Sequence, residues 1–213
     1  MQSIYKTLVE NLGYAPAQIA GIPEADIEAW EARHGVQLPG PLRAYLAEVG
    51  NMAFNRAHNR LYTLDELVIE GDKLIFMEEN QNVVQWAVDM RDLSEEALVF
   101  QRARGEADDM WYPEELECAA FLELMIYWQT VNGGFECFAL GDASEPVIRK
   151  LAKEWPRKAA GSGVVCSARK GVVLCIIEGD ADYNVMLAGQ TEAQLEAAMM
   201  ELQRLGVGAF SVP

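Results

Sequence analysis

Side chains able to do nucleophilic or acid–base chemistry are few and scattered in this chain. There are two histidines, His34 and His58, and four cysteines, Cys118, Cys137, Cys166 and Cys175. No G-x-S-x-G elbow, H-E-x-x-H helix or phosphate-cradling Gly-Lys loop occurs. The arrangements that place a nucleophile beside a base, or a phosphate on backbone amides, are therefore missing. His34 sits on an apolar helical face just before Gly35, where a cation suits a helix C-terminus. His58 lies in the polar run NRAHNR, which reads as a surface loop. No two cysteines are spaced C-x-x-C, and both histidines are far from them in sequence, which argues against zinc. No metal and no cofactor is expected, and the chain reads as a non-enzyme.

Carboxylates are the abundant reactive groups. They recur in pairs, Glu78-Glu79, Glu95-Glu96, Asp108-Asp109 and Glu114-Glu115. Neighbours at i, i+1 diverge on a helix and point to opposite faces of a strand, so no glycosidase dyad is indicated. A metal-dependent hydrolase built on carboxylates is a further alternative, and it would need these acids to converge in a cleft. Cys166 and Cys175 sit in two apolar runs, VVCSAR and VVLCII, on either side of Lys170-Gly171. If that dipeptide is a two-residue hairpin turn, the two thiols face each other across the ladder. They then read either as small buried hydrophobes in a reducing compartment or as a redox-labile bridge.

The chain of 213 residues carries 17 Lys and Arg against 33 Asp and Glu, a net of −16, with 51% hydrophobic residues. That apolar content supports a core and excludes wholesale disorder. The acid excess repels phosphate backbones and argues against direct nucleic-acid binding. No apolar run reaches the roughly 18–20 residues of a membrane helix. The N-terminus lacks a charged-then-apolar signal pattern, so the cytoplasm is the expected compartment. Charge is uneven: residues 61–123 hold 17 acids and four bases, whereas 131–213 hold ten and eight.

Periodicity supplies the elements. A first helix runs to about Gly13 with Ile4, Leu8, Val9 and Leu12 on one side. Pro23 opens a second, with Ile27, Trp30 and His34 on one face and Gly35 stopping it. Leu42, Tyr45, Leu46 and Val49 stripe a third, ended by Gly50-Asn51. The runs 73–77, 83–88 and 97–100 read as closely spaced strands of an antiparallel meander. Pro113 is expected to open the longest helix, with Glu114, Glu115 and Glu117 in its first turns and Asn132-Gly133-Gly134 at its end. The last third reads as a strand at 135–140, a helix at 145–155, two strands around Lys170-Gly171, a strand near 183–187 and a helix at 192–205 with Thr191 as its cap. The predicted class is α+β, an antiparallel-rich sheet flanked by helices.

Two blocks resemble the SUKH superfamily of SMI/KNR-type proteins. The first is Ile27-x-x-Trp30-Glu31-x-x-His34-Gly35-x-x-Leu38-Pro39-x-x-Leu42-x-x-Tyr45-Leu46-x-x-Val49-Gly50-Asn51, and the second is LIFMEENQNVVQWAV, residues 74–88. The strand, acidic aromatic turn and apolar helix of 97–131 are similar to one subgroup. The resemblance implies a SUKH-like core over 1–131 and a C-terminal α/β extension over 132–213, packed with the core as one globular unit. It also implies immunity, the binding and neutralising of a polymorphic or contact-dependent toxin such as a nuclease. It transfers no catalytic set. A regulatory interaction or scaffold protein is the alternative with the same surface logic.

The expected partner is thus a basic protein toxin domain, drawn by charge, with no nucleic acid and no membrane. Its expected contacts are Glu78, Glu79, Asp108, Asp109, Trp111, Glu114 and Glu115, acids in or beside turns together with one aromatic anchor. The basic cluster Arg149, Lys150, Lys153, Arg157 and Lys158 in the extension offers a competing surface.

Overall fold

The computed structural model describes residues 3–94, 96–105, 110–180 and 182–212. Its contacts group the chain into two compact units. One comprises the N-terminal residues up to Thr7 together with Pro16–Glu123, and the other comprises Leu8–Ala15 with Leu124–Pro213. The class is α+β, as expected: helices accompany two antiparallel sheets.

The first helix, α1 (Ile4–Leu12), buries Tyr5, Val9 and Leu12, while Ile4 is exposed. Tyr5 takes the place that the hydrophobic stripe assigned to Ile4, and its ring meets Tyr45 edge-on at 5.0 Å. Helix α2 (Glu24–His34) begins after Pro23, carries Glu24 and Asp26 in its first turn, and stops at Gly35 with φ 66°. Ile27 and Trp30 form its buried face. Helix α3 (Gly40–Val49) has Pro41 in its first turn and buries Leu42, Tyr45, Leu46 and Val49. The loop before α2 lies directly on α3. The Ile22 N–H donates to the Leu46 carbonyl at 2.8 Å, and a Cβ on Gly21 would stand 1.7 Å from the Ala47 carbonyl oxygen. Only glycine fits an approach that close.

The first sheet contains β1 (Arg60–Leu61), β2 (Val68–Glu70), β3 (Lys73–Glu78), β4 (Val84–Asp89), β5 (Leu98–Ala103) and β6 (Tyr112–Glu117). The order is β1-β3-β4-β5-β6, with β2 also on β3, and each pairing is antiparallel. Residues 73–100 do form the anticipated meander. The stretch after Pro113 differs from the expectation. Tyr112–Glu117 is an edge strand against β5, and the helix α4 (Cys118–Gln129) starts only at Cys118. An edge strand tolerates Pro113, whose missing N–H removes no ladder bond on the open side. The Cys118 N–H donates to the Ala97 carbonyl at 2.7 Å, which ties the helix start to the sheet. Alternation gives the sheet two faces. On one, Phe76 and Trp86 meet Phe121 of α4 at 6.0 and 5.8 Å. On the other, Tyr62, Ile75 and Ala87 make a small cluster with Leu67 and Trp111 against it.

Past α4 the turn widens over Thr130–Gly134 and ends where Gly133 adopts φ 123°. The second sheet then runs β7 (Cys137–Ala143), β8 (Arg157–Gly161), β9 (Val164–Arg169), β10 (Val172–Glu178) and β11 (Tyr183–Gly189), in the order β7-β11-β10-β9-β8. Helices α5 (Glu145–Glu154) and α6 (Glu192–Leu205) cover one face. There Leu151, Trp155, Leu174, Leu187, Leu195 and Leu202 form the core. Thr191 caps α6 by accepting from the Gln194 N–H at 3.3 Å, as its position suggested, and Gly206 ends the helix.

Candidate functional site

Five of the expected contact residues are described; they gather around the first sheet, and Glu78, Glu79, Trp111 and Glu114 are already engaged. Glu78 ends β3 and is held on both oxygens: the Tyr62 hydroxyl donates to Oε2 at 2.7 Å and Arg60 Nε lies 2.8 Å from Oε1. Glu79 builds its own turn. Its Oε2 accepts from the Gln81 N–H at 2.8 Å, its N–H donates to the Val84 carbonyl at 2.9 Å, and its carbonyl accepts from the Asn82 N–H at 2.8 Å. Asn82 closes the turn with φ 61°, a conformation its short amide tolerates. The acidic amide run is thus a self-capping β3–β4 connection.

Glu114 corrects the sequence reading most sharply. Alternation on β6 turns it inward, where it is 9% exposed and accepts from the Trp86 indole N–H at 2.8 Å. It is unavailable to a partner, whereas its neighbour Glu115 is exposed. Trp111 is half-buried, packed on the Tyr62 cluster, with the Arg102 guanidinium 4.5 Å from its ring centroid. Asp108 and Asp109 lie outside the described residues.

The sequence did not reveal the network beneath Trp111. Arg102 is 9% exposed on a central strand and donates from Nη1 and Nη2 to Glu70 at 3.0 and 2.6 Å. Its Nε and Nη2 also donate to Gln85 Oε1 at 3.1 and 3.0 Å. Gln85 in turn donates to the Tyr62 hydroxyl at 3.4 Å, which leads on to Glu78 and Arg60. The buried cation is satisfied by a bidentate carboxylate and an amide, as low dielectric requires. Burial and the bond to Glu78 push the Tyr62 phenol above its ordinary range, and the Arg102 bonds pull Glu70 below its own. The network joins β2, β4 and β5 and fixes this face of the sheet. The only advance signal was an arginine inside an apolar strand run, residues 97–103.

The histidines do not join it. His34 stacks on Trp30 at 4.3 Å with Nδ1 2.8 Å from the Trp30 carbonyl, the helix-end role expected of it. His58 is half-buried, and burial lowers its pKa against the opposing pull of Glu79. Asn80 Nδ2 faces its Nδ1 at 3.3 Å, which suits a neutral ring. A groove of about 360 Å³ opens beside α2, lined by Ile22, Pro23, Asp26, Trp30, Arg33 and Asp65 among others. Its rim has two acids and one base and no nucleophile–base pair. Among the described residues no three His, Cys, Asp or Glu side chains are grouped to hold a metal ion, and no helix is long and apolar enough to cross a membrane.

Of the expected contacts, Glu115 stays exposed, on an acidic edge of the first unit. Beta strand β6 has one open side and exposes Tyr112, Glu115 and Glu117, with Met110 just before it. On the second unit Arg149, Lys150, Lys153, Arg157 and Lys158 are all exposed, on α5 and the edge strand β8. No family model, no curated protein and no solved structure matches this chain.

Proposed function

We propose that this chain is a non-enzymatic protein-binding module that captures a basic protein partner through its first unit. One observation carries the reading. That unit holds 22 acids and nine bases, a net of −13, and six of the nine bases (Arg43, Arg56, Arg60, Lys73, Arg91 and Arg102) are already in ion pairs. The charge left over is negative, and β6 exposes Glu115 and Glu117, where Tyr112 and Met110 add apolar contact. Charge of this kind speeds encounter with a cationic protein and sets its salt dependence.

The finer reading is immunity: a cytoplasmic protein that neutralises a basic toxin domain. It draws support from the sequence blocks that resemble SUKH proteins and from the sign of the field. The contact set supported by exposure is Glu115, Glu117, Tyr112 and Met110, beside Trp111, in place of Glu78, Glu79 and Glu114.

Co-purification of the tagged chain with the product of the adjoining gene tests it. Capture at about 0.05 M salt and release at several-fold higher salt is expected, as screening shortens the range of the field. A Glu115→Lys, Glu117→Lys double variant should keep its circular dichroism and slow association at least tenfold. Unchanged association would remove β6 from the interface, and capture indifferent to salt would remove the electrostatic reading.

A further inference from the structure

The two thiols of the second sheet stand in an arrangement that immunity does not explain. Cys166 on β9 and Cys175 on β10 are direct cross-strand partners, both fully buried, with their sulfurs 2.7 Å apart. Their position in the ladder can be read from one bond. The Gly171 carbonyl accepts from the Gln190 N–H while its own N–H donates to the Leu12 carbonyl, and by alternation the carbonyls of Val173 and Cys175 face β11 with that of Gly171. Toward β9, Cys175 therefore occupies a non-hydrogen-bonded site. Such pairs bring Cα atoms to about 4.5 Å and side chains closest, inside the range a disulfide spans.

The neighbouring strand offers a way in. Strand β8 is the sheet edge, and its register on β9 shifts between Arg157 and Ala159, the residue that pairs with Cys166. The ladder is interrupted beside the buried thiol, on the sheet edge, where local opening breaks the fewest bonds. Burial, and then the contact with Cys166, pushes the Cys175 thiol well above its ordinary range, which keeps the closed, reduced pair unreactive.

We propose that Cys166 and Cys175 are an oxidation site, a dithiol that a peroxide converts to a cross-strand disulfide when β8 opens and that a thiol reductant restores. In the first step one thiolate attacks a peroxide oxygen; the O–O bond breaks, leaving a sulfenic acid and, after protonation, water. The second thiolate then attacks the sulfenic sulfur, the S–S bond forms, and a second water leaves. Two thiols and one hydrogen peroxide thus give one disulfide and two waters, with sulfur oxidised and oxygen reduced.

The full chain is purified with reductant, desalted, and treated with hydrogen peroxide under native conditions. Its thiols are then counted after denaturation and its peptides mapped. The count should fall from four to two, one cross-linked peptide should join Cys166 to Cys175, and the denaturation midpoint should rise and return with dithiothreitol. A count that stays at four overturns the proposal, as does a cross-link through Cys118 or Cys137. Cys175→Ser should show no cross-link at Cys166 under the same treatment; should that variant fold poorly, the peptide map of the parent chain decides alone. Salt-dependent capture of a basic partner is a separate readout, so either result leaves the other standing.

Discussion

Asp89 shows how much a single carboxylate can be made to do. Its oxygens accept from Arg91 Nη2 at 2.7 Å, Arg91 Nε at 3.0 Å, the Arg91 N–H at 2.9 Å and Lys73 Nζ at 3.0 Å. Lys73 in turn sits 3.7 Å from the centre of the Phe100 ring. The Arg91 bonds first, and Lys73 after them, hold Asp89 far below the usual carboxylate range. A pKa depressed in the folded state means that the unfolded chain binds the proton more readily. The stabilisation is therefore present above the ordinary carboxylate pKa of about 4 and is lost as pH falls toward the folded value. Asp89→Asn should lower stability at neutral pH and flatten its decline below about pH 4. Denaturant midpoints taken across that range check this, and parallel pH curves for variant and parent would count against it. Glu66 and Glu70, also pulled down by their partners, should keep part of that slope in the variant.

Strand β6 carries the largest element-scale surprise, and the contrast between two adjacent glutamates tests it. Glu114 accepts the buried Trp86 indole N–H, while Glu115 faces solvent. Glu114→Ala strands a buried donor and should cost about 1–3 kcal/mol, against less than about 0.5 kcal/mol for Glu115→Ala. Equal costs, read by urea unfolding, would mean the period-two placement is wrong. The segment misled because Pro followed by three glutamates within four residues is also how a helix begins. What decides is β5, whose free edge takes up Tyr112–Glu117 before α4 can start. Helices α2, α3 and α6 were legible because each carries its own punctuation: Pro23 and Gly35, Pro41 and Gly50, Thr191 and Gly206. Strands β1, β2 and β8, of two, three and five residues, were too short or too polar to show a period.

At the scale of the whole molecule the net charge of −16 works against compactness through self-repulsion. Raising salt from about 0.01 to about 0.1 M shortens the screening length from about 30 to about 10 Å. The thermal midpoint should rise over that interval; a fall would show that the surface ion pairs outweigh the repulsion they sit in. The sequence by itself determined this charge, its concentration in the first two-thirds of the chain, the α+β class and the facing of Cys166 and Cys175, because composition and short periods are local properties. Only the tertiary structure decided which acids are spent. Glu78, Glu79 and Glu114 are engaged by Tyr62 and Arg60, by their own turn and by Trp86, and a carboxylate's freedom depends on donors that reach it from strands the linear order keeps apart.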